Sequence, residues 1–310
     1  HTASLNSEPI TFRRTPMHVL LTGGSGFIGR ALCKQLFTAG HTATVLTRRP
    51  AQAPPLPGVR WVSSLQEVEQ ADAVVNLAGE PLAAGRWNAA RKQLFRDSRI
   101  GTTQQLLSWI ESLRERPRVL VSGSAIGYYG AHEDTPLGET AAPGEDFAAT
   151  LCRDWEMEAL KARALGLRVC TLRIGIVLGA DGGALAQMLP PFRFGLGGPM
   201  GSGRQWMSWV QRSDLLRLLL WLLETDTASG AYNGTAPVPV SNREFARTLG
   251  AVLKRPAVLT MPALVLKLLF GEMAEALLLT GQRVLPNKAE AEGFVFQYRE
   301  LEPALRDLLR

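Results

Sequence analysis

Cysteine and histidine are scarce in this chain of 310 residues, which has three cysteines and four histidines. The cysteines, Cys33, Cys152 and Cys170, form no C-x-x-C pair, and no two histidines stand at the spacing of metal ligands. This pattern excludes a disulfide scaffold and a structural zinc site, and we expect no metal to be bound. Three scattered thiols fit a reducing compartment, so a cytoplasmic location is predicted.

Long apolar runs and dense charge runs are also missing. The most apolar segment, Leu215–Leu223, is too short to cross a bilayer, so no membrane partner is expected. The 34 basic and 28 acidic residues give a net charge of +6, but the arginines are scattered and form no basic patch. That distribution does not favour nucleic acid as a partner, and it suits a pocket for a phosphorylated small molecule.

The most informative motif present is a glycine-rich run, T-G-G-S-G-F-I-G at residues 22–29, directly after the apolar residues 19–21. A strand, a glycine turn and a helix start in this order are typical of a dinucleotide-binding fold. Gly23 allows a tight turn, Gly26 lets the backbone approach a pyrophosphate, and Gly29 is expected to let the helix pack against the sheet. The unpaired amides at the helix N-terminus would hold the phosphates.

Short apolar segments alternate with helical stretches from Met17 onward. This alternation predicts an α/β fold with a Rossmann-type, doubly wound parallel sheet. The predicted strands are residues 19–21, 42–47, 73–77, 119–122 and 169–172. Helices are predicted at residues 100–113, 151–164, 214–223, 242–253 and 262–279, the last of them buried.

The domain organisation follows from a change of pattern after Gly179. Residues 17–179 are assigned to the dinucleotide-binding domain, to which residues 205–235 return. Residues 180–204, rich in glycine and proline, and residues 236–310 are assigned to a smaller C-terminal substrate lobe. Residues 1–16 are polar and are expected to form a disordered N-terminal extension.

The end of the second strand indicates which dinucleotide is bound. An acidic residue there accepts hydrogen bonds from the ribose hydroxyls of NAD, whereas an arginine pairs with the 2′-phosphate of NADP. The chain has Thr47-Arg48-Arg49 at this point, with no acid before Glu67. We therefore predict NADP(H) as the cofactor, with Arg48 on the phosphate and Arg49 as a solvated neighbour.

Further motifs resemble those of the extended short-chain dehydrogenase/reductases: N-L-A-G at 76–79, the serine-bearing strand V-S-G-S-A at 121–125 closing in G-Y-Y-G, and L-R-I-G at 172–175. The longer segments N-L-A-G-E-P, W-E at 155–156 and G-L-G-G-P-M-G-S-G at 195–203 resemble an atypical, epimerase-like branch that includes human SDR39U-type proteins. The resemblance implies an oxidoreductase or epimerase-like enzyme for a small carbonyl or sugar-like substrate. It also implies a homodimer formed through the helices that flank the central strands.

The glycine run and the resemblance together assign residues to the cofactor. These are Thr22, Gly23, Gly26, Phe27, Ile28, Gly29, Arg48, Asn76, Leu77, Ala78, Gly79, Ser122 and Arg173. Charged residues on two loops are candidates for holding the substrate, namely Glu80, Arg86 and Arg204.

The catalytic pair of the resembled family, Tyr-x-x-x-Lys, is missing. Alignment on Glu156 places Ala148 at the tyrosine position and Cys152 at the lysine position. Ser124, Tyr128 and Tyr129 are the remaining catalytic candidates, although both tyrosines could equally be packing residues at a strand end. The missing pair leaves a second hypothesis open, an inactive NADPH-binding sensor or regulatory protein. The glycine-rich segment 195–204 favours an enzyme, since a nucleotide sensor would not need it.

Overall fold

The computed structural model describes residues 15–310, so residues 1–14 of the predicted N-terminal extension lie outside the described range. The strands of the described chain are β1 His18–Thr22, β2 Thr42–Leu46, β3 Val59–Val62, β4 Ala73–Asn76, β5 Val119–Ala125, β6 Pro136–Leu137, β7 Arg168–Ile174, β8 Ile176–Gly179, β9 Trp206–Met207, β10 Trp209–Gln211, β11 Gly230–Gly234, β12 Val240–Ser241 and β13 Arg283–Val284. The α-helices are α1 Phe27–Thr38, α2 Ala89–Arg96, α3 Thr102–Ser112, α4 Phe147–Leu160, α5 Gly183–Arg193, α6 Arg212–Glu224, α7 Asn242–Leu253, α8 Ala263–Phe270, α9 Glu272–Ala274, α10 Asn287–Ala291 and α11 Leu301–Leu308.

The central sheet has seven parallel strands in the order β3-β2-β1-β4-β5-β7-β11. The strand order reverses between β1 and β4, where Thr22 is in register with Asn76. In doubly wound sheets a ligand crevice opens at such a switch point, at the carboxyl ends of the strands. The predicted Rossmann-type α/β fold is confirmed.

Alternate residues of the central strands bury their side chains on opposite faces of the sheet. Val19 and Leu21 of β1 belong to a core that also contains buried leucines of α1 and α6. Leu20, between them, belongs to a second core with Leu106 and Ile110 of α3. Burying each such leucine stabilises the folded protein by about 1.5–3 kcal/mol. The helices packed on the two faces therefore fix the position of the sheet edge that carries the crevice.

The remaining strands and helices form smaller units around this sheet. β10 pairs with β8, β12 with β9, and β13 with β6. A separate core joins side chains from α5, α7 and α11, including Leu189, Leu249 and Leu305. The assignment of residues 180–204 and 236–310 to a substrate lobe stays a prediction.

Three local features were missed by the sequence analysis or differ from its predictions. The segment from Ala180 to Arg204, for which no helix was predicted, contains the helix α5, with Pro190 and Pro191 within it. The strand β11 was not predicted, because its sequence G-A-Y-N-G is poor in strand-forming residues. Its pairing with β7 compensates for this low strand propensity. The predicted helix 262–279 is interrupted at Gly271, which has φ +60°. It is also not buried throughout, since Leu264, Leu268 and Leu269 are exposed.

Candidate functional site

The turn between β1 and α1 has no room for a side chain at two of its glycines. Gly23 has φ +71°, and a Cβ on it would lie 2.4 Å from the carbonyl oxygen of Leu77. A Cβ on Gly29 would lie 2.3 Å from the carbonyl oxygen of Gly23, so only glycine lets the first turn of α1 approach the end of β1 this closely. Within residues 15–310 no side chain caps α1 at Gly26, which leaves the first amides of the helix for a ligand.

A buried hydrogen-bond network fixes the segment after β4 against this turn. The Thr22 hydroxyl donates to Oδ1 of Asn76 at 2.6 Å and accepts from the amide of Ala78 at 3.2 Å. Nδ2 of Asn76 donates in turn to the hydroxyl of Thr103 at 2.9 Å. Both Thr22 and Asn76 are buried and hydrogen-bonded within this network, so they position the backbone of residues 77–79.

An outer cavity of about 450 Å³ opens beside the turn at the carboxyl ends of β1, β2 and β4. Arg48 lines it with a side chain that is 90% exposed and ion-paired to Glu80 at 3.2 Å. Ser25, Thr47 and Arg48 also line a neighbouring cavity that contains Arg30 and Arg49. The structure therefore brings three arginines to the end of β2, where the sequence analysis had chosen Arg48 alone.

An inner cavity of about 320 Å³ continues from the outer one. The two share Gly23, Gly26 and residues 77–79, so they form one groove across the glycine turn. Phe27, Ile28 and Gly29, three of the residues predicted to contact the cofactor, also line the inner cavity. Its other lining residues are mostly apolar; the polar side chains are those of Arg99, Ser124, Cys152 and Trp155.

Ser124 stands at the end of β5 and is tied to a buried ion pair. Its hydroxyl donates to Oε1 of Glu156 at 2.6 Å. The same carboxylate accepts hydrogen bonds from Nε and Nη2 of Arg173 at 2.8 and 2.9 Å. Burial disfavours the Arg173 charge, but the hydrogen bonds and charge of Glu156 more than offset it and raise the guanidinium pKa. Ser124 lines the inner cavity, and since its one hydroxyl proton is used by Glu156, its oxygen can act toward any further group only as an acceptor.

Tyr129 and Tyr128 do not reach this groove. Tyr129 is fully buried, and its hydroxyl donates to Oδ1 of Asn233 at 2.7 Å and accepts from Nη1 of Arg173 at 3.0 Å. Burial, partly offset by Arg173, raises the pKa of this phenol. The Arg173 guanidinium lies 3.4 Å from the centre of the Tyr128 ring. Both tyrosines thus pack around Arg173, which corrects their prediction as proton donors.

Two residues assigned to the cofactor also lie away from the groove. Arg173 is 4% exposed and is engaged by Glu156 and the two tyrosines, so no nitrogen of it lines either cavity. Ser122 is fully buried, and its hydroxyl donates to the carbonyl oxygen of Gly123 at 3.3 Å. Both assignments are corrected: these residues support the strands that end at the groove.

Cys152 contributes a protonated thiol to the inner cavity. Cys152 lies on α4, lines the inner cavity and is buried. Burial, together with the charge of Glu156, raises the pKa of its thiol to about 11. At neutral pH Cys152 is therefore neither a cation nor a nucleophilic thiolate.

The three residues proposed to hold substrate do not converge. Glu80 faces Arg48 in the outer cavity. Arg86 is exposed, and a Cβ on Gly271 would lie 3.3 Å from its Nε. Arg204 lines a separate cavity of about 480 Å³ together with Trp206 and residues 131–134. None of these three residues lines the inner cavity.

Arg99 and the role of Glu156 escaped the sequence analysis. Arg99 lies on a π-helical turn, Asp97–Gly101, where helical periodicity does not indicate which side chains face a neighbour.

Within residues 15–310 there is no group of three or more His, Cys, Asp or Glu residues that could hold a metal ion. Likewise, none of the helices in this range is long and apolar enough to span a bilayer.

Comparison with known proteins identifies the family of this chain. The model of the NAD-dependent epimerase/dehydratase family matches residues 19–233, and a domain of unknown function, DUF1731, matches residues 261–308. The chain is 41% identical to the chloroplastic epimerase family protein SDR39U1 homolog of Arabidopsis thaliana, over 96% of this chain and 88% of that protein. It is 37% identical to the epimerase family protein YfhF of Bacillus subtilis, over 94% and 98% of the two chains.

Solved structures of similar fold include two with bound ligands. The crystal structure of human epimerase family protein SDR39U1 with NADPH has a TM-score of 0.86 and 36% identity, covering 94% of this chain and 99% of that one. MoeE5 in complex with UDP-glucuronic acid and NAD has a TM-score of 0.74 and 22% identity, covering 93% and 96%. At that identity the second likeness concerns the fold alone.

Proposed function

This chain belongs to the NAD-dependent epimerase/dehydratase family, and on that basis we propose that it is an NADP(H)-dependent oxidoreductase or epimerase-like enzyme for a small carbonyl or sugar-like substrate. One observation carries the proposal: a single groove runs from Arg48, across the glycine turn, to Ser124. A dinucleotide needs a site of this kind, with an anion-binding turn between two pockets.

The residues along the groove fit NADP(H). The first amides of α1 would hold the pyrophosphate, and Arg48, with Thr47 and Ser25, would bind the 2′-phosphate. When bound, the nicotinamide supplies or accepts a hydride. The NADPH in the structure of the human relative supports this choice of cofactor.

Ser124 is the residue that would exchange a proton with the substrate. Its oxygen accepts a hydrogen bond from a substrate hydroxyl, because its own proton points to Glu156. As the hydroxyl is oxidised, its proton passes to Ser124 Oγ while the Ser124 proton passes to Oε1 of Glu156; reduction of a carbonyl follows the reverse path. Arg173 positions Glu156 for this role by two hydrogen bonds.

A second hypothesis, an inactive NADPH-binding sensor, rests on one observation. Among the described residues that line the inner cavity there is no tyrosine or lysine, the two side chains that the family uses for proton transfer. A sensor would keep the phosphate turn and Arg48 while losing hydride transfer.

Hydride transfer separates the two hypotheses. The purified protein is incubated with NADPH and a panel of aldehydes and ketones, or with NADP⁺ and the matching alcohols, and absorbance at the nicotinamide band is followed. For a substrate that reacts, Ser124→Ala should lower turnover by about 10²–10⁴-fold, the usual contribution of a positioned proton-transfer group. Ser112→Ala, which removes a hydroxyl at the end of α3, serves as the control. If the protein binds NADPH but turns over none of the substrates, the result would favour the sensor. If it does not bind NADPH, both hypotheses would be contradicted.

A further inference from the structure

Arg99 is the only charged residue among the described residues that line the inner cavity. It is partly buried, and burial lowers its guanidinium pKa, yet an arginine remains a cation at neutral pH. Glu80, the carboxylate whose charge acts on Arg99, is itself ion-paired with Arg48. Within residues 15–310 no carboxylate forms an ion pair with Arg99. A partly buried cation in this position is stabilised further when a ligand supplies an anion in contact with it.

The backbone around Arg99 holds its guanidinium in place. Nη1 donates to the carbonyl oxygens of Glu80 and Phe95 at 3.1 and 3.4 Å. The Trp155 ring lies beside the guanidinium, 5.3 Å from centroid to Cζ. The Arg99 carbonyl accepts from the Thr103 hydroxyl at 2.7 Å, which stabilises the π-helical turn. No loop has to move to bring the Arg99 guanidinium into this position.

The edge formed by Nε and Nη2 is the part of Arg99 that is free. These two nitrogens have no hydrogen-bond partner within residues 15–310. Gly79 lies over the plane of the guanidinium and not in front of this edge: a Cβ on that glycine would be 2.8 Å from Cζ, nearer than to Nη2 at 3.0 Å or Nε at 3.2 Å. A larger residue at position 79 would collide with the guanidinium, so the glycine allows Arg99 to keep this position.

The same molecule shows what such an edge binds. Nε and Nη2 of Arg173 each donate to one oxygen of the Glu156 carboxylate, at 2.8 and 2.9 Å. This side-on, two-point contact is the geometry in which a guanidinium fork recognises a planar carboxylate. Arg99 lines the inner cavity and has the same two donors, which no carboxylate within residues 15–310 accepts from.

We infer that Arg99 binds the carboxylate of the substrate. The inference rests on the proposed function and narrows its substrate class to a small organic acid that also carries the reacting hydroxyl or carbonyl group. The remainder of the molecule is apolar, because Leu82, Leu151 and Ile174 line the cavity around the two polar groups Arg99 and Ser124. Arg99 is thus a residue that determines specificity, separate from the proton exchange at Ser124.

Binding of benzoate and its neutral amide, benzamide, tests this inference without turnover. Each probe is titrated into the full chain by calorimetry, with and without NADPH. The wild type should prefer benzoate by about tenfold or more, the effect of a charge-assisted two-point contact. Arg99→Gln should abolish the preference, and Arg99→Lys, which keeps the charge but loses the fork, should reduce it. Arg96→Gln is the matched control, because Arg96 pairs with Asp154 and does not line the groove.

Two results would overturn the inference. One is a wild type that binds both probes equally or neither; the other is a tenfold loss of NADPH affinity in Arg99→Gln, which would assign the guanidinium to the cofactor. Because the fork is formed by the protein alone, the benzoate preference is expected without NADPH as well. A wild type that prefers benzoate but does not bind NADPH would therefore contradict the proposed function and leave the carboxylate site standing.

Discussion

Replacing Arg173 by methionine should destabilise the fold by about 3–5 kcal/mol, the usual cost of breaking a buried ion pair from one side. The side chains of Arg173 and Glu156 are 4% and 8% exposed, so water cannot replace the lost partner. Methionine fills part of the volume beneath Tyr128, but it leaves the Glu156 carboxylate with Ser124 as its hydrogen-bond donor. Glu156→Gln leaves the opposite charge unpaired and should cost a similar amount.

A double-mutant cycle isolates the pair from the other contacts of Arg173. Removing both charges leaves neither one buried alone, so Glu156→Gln/Arg173→Met should cost less than the sum of the single variants, by about 1–3 kcal/mol. Urea denaturation followed by circular dichroism gives the four free energies of unfolding. Arg306→Met is the control, since it breaks the exposed ion pair with Glu302 and should cost less than about 1 kcal/mol. Single variants that cost less than about 1 kcal/mol, or additive effects of the two substitutions, would refute the buried pair.

Three further predictions concern the groove and its supports. Arg48→Glu should weaken NADPH binding by about tenfold or more while NADH changes little, whereas Arg49→Glu should have a smaller effect; equal losses for both nucleotides would place the 2′-phosphate elsewhere. Gly29→Ala should cost about 1–3 kcal/mol of unfolding free energy and lower NADPH affinity, because its Cβ meets the Gly23 carbonyl; a fully stable variant with normal affinity would contradict the turn geometry. Tyr129→Phe should cost about 1–3 kcal/mol through the lost bond to Asn233 and leave turnover unchanged; a stable but inactive variant would restore Tyr129 as proton donor.

The parts of the fold with local signals could be predicted from the sequence. The glycine run specified the turn before α1, and the apolar segments 19–21 and 73–77 lie on β1 and β4 at the switch point. The helix predicted at residues 242–253 agrees with α7, Asn242–Leu253, because a serine N-cap and a strong apolar periodicity mark it.

The missed features depend on contacts that local pattern does not contain. β11 is a strand because Tyr232 and its neighbours pair with β7 and are buried, which outweighs two glycines and an asparagine. The inward direction of Tyr129 depends on Asn233, more than a hundred residues away in the chain. Arg99 reaches the groove through a π-helical turn, which shifts the periodicity that sequence analysis relies on.

A titration of the purified chain with NADPH and NADH tests the central claim most directly. Trp155 lines the inner cavity, so energy transfer from tryptophan to the reduced nicotinamide reports binding in the groove. We predict saturable NADPH binding at least about tenfold tighter than NADH binding, since the 2′-phosphate adds a charge-assisted contact with Arg48. Binding of neither nucleotide, or equal binding of both, would contradict an NADP(H) site in this groove.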